Sequence, residues 1–170
     1  MFRVDLRAAQ EGPVATAGRL AADDPALADT QLTLVAPVVV SGRLNESGPG
    51  QFFWRAKLTT TVATTCRRCL TPVEVPVTAE VNLLFTEDPD ADDPATVIIE
   101  PNMARLDLRP AIREELILAA PEFALCREDC RGLCPRCGAD LNAGPCTCRP
   151  EPDPRWAALE ALKRNDDETR

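Results

Sequence analysis

A chain of 170 residues can enclose one domain with a real hydrophobic core and a small appendage. Its formal charge of −8 and lack of histidine make a poor overall field for a polyanion and exclude any histidine proton relay. No apolar run is long enough to cross a bilayer, so no membrane role is expected.

The N-terminal Met1-Phe2-Arg3-Val4-Asp5-Leu6-Arg7 alternates apolar and charged residues and lacks the apolar centre of a signal peptide. The expectation is a cytoplasmic protein, with a first strand over 2–8. A second candidate strand, 32–44, is interrupted by Pro37, which suggests an edge or a bulge. The β pattern is clearest further on. Trp54, Leu58 and Val62 face away from Arg55, Lys57, Thr59 and Thr61. Val73, Val75, Val77, Ala79, Val81, Leu83 and Phe85 are apolar at every second position. These segments predict a long hairpin, 52–64 with 73–85, whose tip is Cys66-Arg67-Arg68-Cys69. Residues 87–94 form an acidic, proline-punctuated loop without the glycine or terminal glutamate of an EF-hand, so it reads as a solvated excursion. A short strand over 96–99 follows.

Beyond it the period changes. Leu108, Ile112, Leu116 and Ala119 recur at helical spacing, Pro110 suits a first turn and Pro121 stops the run, which predicts a helix over 109–119. Six cysteines then fall within 122–152, a stretch with no usable periodicity. Asp153 as N-cap, Pro154 in the first turn and the stripe Trp156, Leu159, Leu162 predict a C-terminal helix. The fold expected is α+β: an antiparallel, barrel-like sheet of about five to seven strands, one packed helix, a cysteine-rich zinc module and a C-terminal helix. Residues 1–121 would form the β-rich domain, and 122–170 a module packed on it rather than independent of it.

The cysteines fall as C-x2-C, a gap of 56 residues, then C-x3-C-x3-C-x2-C-x8-C-x-C. With no export signal and a core large enough to need no staples, disulfides are disfavoured. The C-x2-C pairs have the spacing at which two sulfurs converge on one ion, and zinc takes four ligands. Two structural zinc sites are therefore expected. The favoured partition joins Cys66 and Cys69 to Cys126 and Cys130, and leaves Cys134, Cys137, Cys146 and Cys148 as a local group. The rival pairs 66/69 with 134/137. An iron–sulfur cluster would use the same thiolates, and a redox pair would want its C-x-x-C at a helix N-terminus. Eight thiolates with two zinc ions would carry the formal charge from −8 to about −12.

Three stretches in order resemble the YceD family of large ribosomal RNA subunit accumulation proteins. They are Cys66-Arg67-Arg68-Cys69-Leu70, the segment 107–121 (Asp-Leu-Arg-Pro-Ala-Ile-Arg-Glu-Glu-Leu-Ile-Leu-Ala-Ala-Pro), and Cys130-Arg131-Gly132-Leu133-Cys134-Pro135-Arg136-Cys137-Gly138. The closing Asp153-Pro154-Arg155-Trp156 with Leu159, Leu162 and Lys163 is similar too, so the likeness spans about 15–165. It implies a non-enzymatic factor needed for accumulation or processing of large-subunit (23S) ribosomal RNA. A ribosomal precursor or large-subunit ribosomal protein would be the partner, with rRNA also possible and no small-molecule substrate. The metal role transfers onto the cysteines; no RNA-contacting residue transfers.

Arg67 and Arg68 at the tip, with Arg131 and Arg136, could form a local basic surface, or could merely balance thiolate charge. The acidity of the whole favours a protein partner over long RNA contacts. A generic zinc-stabilised interaction module is the alternative, with Trp54 or Trp156 as an anchor if not a core residue. A zinc-dependent nuclease would need an open metal position, which four thiolates per ion leave no room for.

Overall fold

The computed structural model describes residues 2–93 and 95–148, together with Arg155. The predicted C-terminal helix lies outside them.

The chain starts with β1 (Arg3–Asp5) and turns at once into helix α1 (Leu6–Glu11). The strand expected over 2–8 is thus cut short. Asp5 explains why: its carboxylate accepts the Arg7 N–H at 3.0 Å, an N-cap that commits the next residues to a helix burying Leu6 and Ala9. β1 pairs antiparallel with β9 (Arg105–Asp107), Val4 opposite Leu106.

The principal sheet has seven strands. Short β2 (Val14–Ala15) and β3 (Gly18–Leu20) both lie on β5 (Val38–Gly48), and β4 (Thr33–Leu34) lies on β6 (Gln51–Thr65). Between β3 and β4 stands a single 3-10 turn, Pro25–Leu27. The strand predicted over 32–44 is therefore two strands, parted at Pro37, which has no N–H to give the ladder. β6 and β7 (Pro72–Thr86) form the predicted hairpin, in register from Gln51↔Thr86 to Thr65↔Pro72. β6 buries Phe52, Trp54, Ala56, Leu58, Thr60 and Val62 and leaves Arg55 and Lys57 exposed. The predicted alternation holds.

Two expectations fail at the sheet's edge. β8 (Thr96–Ile98) runs parallel to β7, Leu84 opposite Thr96, so the sheet is not wholly antiparallel. The acidic loop carries the chain back far enough to run the same way again. Nor does the sheet close into a barrel. β8 covers β7 only at 84–86, and the rest of that edge carries Pro72, Glu74, Pro76 and Glu80. Missing donors and charges are what keep an edge strand from pairing.

Helix α2 (Arg109–Ala119) occupies the predicted span and lays Ala111, Ile112 and Leu116 against the core, which contains Trp54, Phe52, Leu44 and Leu58, with contacts to β7. Trp54 is fully buried and its indole N–H donates to Thr16 Oγ1 at 2.9 Å, so it is a core residue and not an interface anchor. In the acidic loop Asp88 and Asp93 accept the N–H groups of Asp90 and Ala95 at 3.0 and 2.7 Å, serving the turns themselves.

Candidate metal centre

The hairpin tip begins where β6 runs out. The Cys66 N–H donates to Thr71 O and the Leu70 N–H to Cys66 O, both at 2.8 Å, and Leu70 takes a left-handed φ of 59° to close the turn. This knuckle aims both thiols the same way. The segment leaving α2 is tied to it through backbone groups: the Arg67 N–H donates to Ala124 O at 2.9 Å and the Leu133 N–H to Arg68 O at 3.0 Å. Cys126 and Cys130 are delivered to the tip as a result.

Cys66 Sγ stands 3.8 Å from Cys130 Sγ, and Cys69 Sγ stands 3.6 Å from Cys126 Sγ. All four sulfurs lie within 4.8 Å of one another. Four sulfurs at 2.3 Å from a zinc ion must sit about 3.8 Å apart, whereas a disulfide needs about 2.05 Å. All eight cysteines are free thiols. Cys134, Cys137, Cys146 and Cys148 form the second quartet under the same limit. Its knuckle is closed by the Gly138 N–H on Cys134 O at 2.9 Å and the Cys134 N–H on Ala139 O at 2.8 Å. The rival pairing of 66/69 with 134/137 is not what the geometry brings together. The donor set and its spacing fit one four-coordinate soft ion per quartet.

Electrostatics divide each quartet in the absence of metal. Cys66 is held down to about 6, chiefly because the Cys69 backbone N–H favours its thiolate, with burial opposing. Cys69 is lowered too, first by the Thr71 hydroxyl, 3.3 Å from its sulfur. Cys126 is pushed up to about 12, first by burial and then by the neighbouring thiols. In the second quartet Cys134 falls to about 6, led by the Cys137 N–H, while Cys148 rises to about 12 beside the Cys137 thiol. Some thiols in each group thus ionise readily while neighbours keep their protons. A bound dication would displace those protons, so affinity must fall as pH falls.

The supporting groups were not singled out from sequence. Asn142, between Cys137 and Cys146, points its amide Nδ2 at Cys130 Sγ in the other quartet at 3.6 Å. Its Oδ1 accepts the Arg131 N–H at 2.8 Å and Arg127 Nη2 at 2.9 Å, and its own N–H donates to Asp140 Oδ1 at 2.9 Å. The Asp-x-Asn turn was the only available signal. The basic surface expected at the tip is largely engaged in structure: Arg67 lies over the Phe123 ring at 4.4 Å, and Arg68 donates to the carbonyls of Glu128 and Cys130 at 3.1 and 2.8 Å. Arg131 and Arg136 are exposed.

Comparison with known proteins gives a consistent group. The family model described as large ribosomal RNA subunit accumulation protein YceD matches residues 54–163. An uncharacterized protein of Mycobacterium tuberculosis is 35% identical over 109 residues, covering 61% of this chain and 52% of its own length. One from Mycobacterium leprae is 30% identical over 153 residues, covering 84% of this chain and 69% of itself. The chloroplastic large ribosomal RNA subunit accumulation protein YCED homolog 1 of Zea mays is 28% identical over 122 residues, covering 54% of this chain and 42% of itself. The chain spans about half the length of the Mycobacterium tuberculosis relative. No solved structure matches this chain.

Proposed function

The chain belongs to the YceD family of large ribosomal RNA subunit accumulation proteins, and on that premise we propose that it is a non-enzymatic, cytoplasmic factor in the accumulation or processing of large-subunit (23S) rRNA. It acts by binding a ribosomal precursor, through protein or RNA. One observation carries the reading: the matched segment, 54–163, contains the whole β6–β7 hairpin tip, α2 and both sulfur quartets. The stretch that resembles the family is thus the one that carries the candidate metal scaffold.

Zinc is the ion that suits four thiolates in a closed tetrahedral set, and Cys66, Cys69, Cys126, Cys130 and Cys134, Cys137, Cys146, Cys148 would hold it. Bound there, zinc supplies structural cross-linking. With every ligand position taken by sulfur no water is activated, which argues against a nuclease. We further infer that the chain divides near 121, the cysteine-rich part depending on its packing against the hairpin.

Metal analysis with thiol titration tests the scaffold: two zinc ions per chain and no reactive thiol are expected from the two quartets. One zinc with four reactive thiols would show that one site is not a metal site. Pull-down of the tagged full chain tests the role, since a partner set without large-subunit ribosomal components would overturn it.

A further inference from the structure

The solvent face of the β5–β6–β7 sheet carries a concentration of positive charge that the overall balance of −8 does not suggest. Arg43 on β5 stands directly opposite Arg55 on β6, and Lys57 follows on the same face, all three exposed. Like charges directly opposite each other across an antiparallel pair are destabilising. The pair is not relieved by acid: among the described residues Arg43, Arg55 and Lys57 make no ion pair, although Glu80 lies opposite Lys57 in register. Arg55 is steered instead by neutral partners. Its Nε donates to Asn82 Oδ1 at 3.3 Å and its guanidinium lies 5.8 Å from the centre of the Phe53 ring. Neutral partners fix the geometry of the group and leave its charge unspent.

Ser41, Arg43, Arg55, Lys57, Glu80 and Asn82 line an open depression of about 630 Å³ on this face. Phe53, Arg55 and Lys57 alternate along β6, so an aromatic ring and two cations form one row with the period of the pleat. An acidic protein segment would need the cations and not the ring. A single-stranded nucleic acid uses both, because phosphates take the guanidinium forks and ammonium while a base stacks on an aromatic or arginine plane.

We propose that the open face of β5–β6–β7, centred on Arg43, Arg55 and Lys57 with Phe53 beside them, binds single-stranded RNA. The choice of RNA rests on the ribosomal reading above; the location of the face does not. This moves the RNA contact away from the arginines around the metal centre, most of whose groups hold that centre together. It also bears on the objection from net charge, since in the depression Arg43, Arg55 and Lys57 outnumber the one acid that lines it, Glu80.

The test uses the full zinc-loaded chain and a fluorescent single-stranded RNA oligonucleotide, read by anisotropy over a salt series. Three phosphate contacts predict a log–log salt slope of about −2, a loss of about twentyfold between about 50 and 200 mM salt. The triple variant R43Q/R55Q/K57Q should melt at or above the wild-type temperature, lose at least tenfold in affinity and flatten the slope. Phe53→Leu should lose about tenfold with the slope kept, and Arg67→Gln/Arg131→Gln at the metal centre should bind as the wild type does. The proposal is overturned by a triple variant that binds RNA unchanged, by a wild type that binds none, or by polyglutamate competing as well as RNA. Co-sedimentation with large-subunit precursors is measured in parallel. A wild type that fails to co-sediment would sink the ribosomal role, whereas co-sedimentation with RNA affinity unchanged in the triple variant would remove only the sheet face.

Discussion

Gly132 stands where the cysteine-rich segment passes closest to the hairpin tip. Its φ is +75°, and a Cβ there would lie 2.8 Å from Arg68 O, the acceptor of the Leu133 N–H. Gly138 has a similar φ of +70° but open space around it. Gly138→Ala should therefore cost about 1–2 kcal/mol for the left-handed backbone alone, and Gly132→Ala distinctly more, because a backbone oxygen cannot move aside. Thermal melts of the zinc-loaded variants would check that order; equal losses would mean that the close approach is not needed. Thr16 gives a second case. Replacing it with Val strands the buried Trp54 indole N–H that it accepts at 2.9 Å, a loss of about 1–3 kcal/mol by urea titration. At this scale the sequence yielded the eight ligand candidates from spacing alone. It did not yield Gly132 or Asn142, whose partners lie far along the chain or in the other quartet, nor Thr71, whose hydroxyl reaches Cys69 only because the tip turn folds it back.

Among elements, the β6–β7 hairpin was legible because fifteen-residue strands with period-two patterning leave little ambiguity. Helix α2 was equally plain, bounded by Pro110 and Pro121. The short elements were not. Helix α1 has six residues, too few for periodicity to outweigh the strand-like alternation that precedes it, and its cap at Asp5 decides the matter. The hairpin and the metal centre should also come apart under chelation. The tip amides of Arg67, Leu70, Leu133 and Cys134 depend on contacts that the quartets clamp, whereas the middle of β6 is held by ladders on both sides. Hydrogen exchange with excess chelator should speed exchange at those amides strongly and leave Trp54 to Leu58 protected. Uniform loss of protection through β6 would show that the sheet, too, needs the metal.

Across the whole molecule, Asp107 joins the N-terminal strand to the start of helix α2. It is the last residue of β9, opposite Arg3 on β1, receives Arg3 Nε at 3.3 Å and the Arg109 N–H at 3.1 Å, and is gripped by the Arg109 guanidinium. That guanidinium leads the causes holding its carboxyl down to about 2, against an ordinary value of 3.8. A depressed carboxyl stabilises the fold above its unfolded value, and that contribution is lost as pH falls from about 4 through about 2. Comparison of wild type with Asp107→Asn by urea titration should show a constant gap above about pH 5 that closes towards pH 2, whatever acid does to the metal sites in both. A gap independent of pH would show that the charge is not what stabilises. The sequence by itself determined the long hairpin, the helix and the eight candidate thiols, because ligand spacing and hydrophobic period are local properties; it left two divisions into quartets open, and the fold brings Cys66 and Cys69 to Cys126 and Cys130. Only the tertiary structure decided that the sheet stays open, that β8 runs parallel, that the arginines near the metal centre are largely engaged, and that Arg43, Arg55 and Lys57 share one face. Those facts depend on which strands meet and in what register, and register joins residues that nothing local in the chain connects.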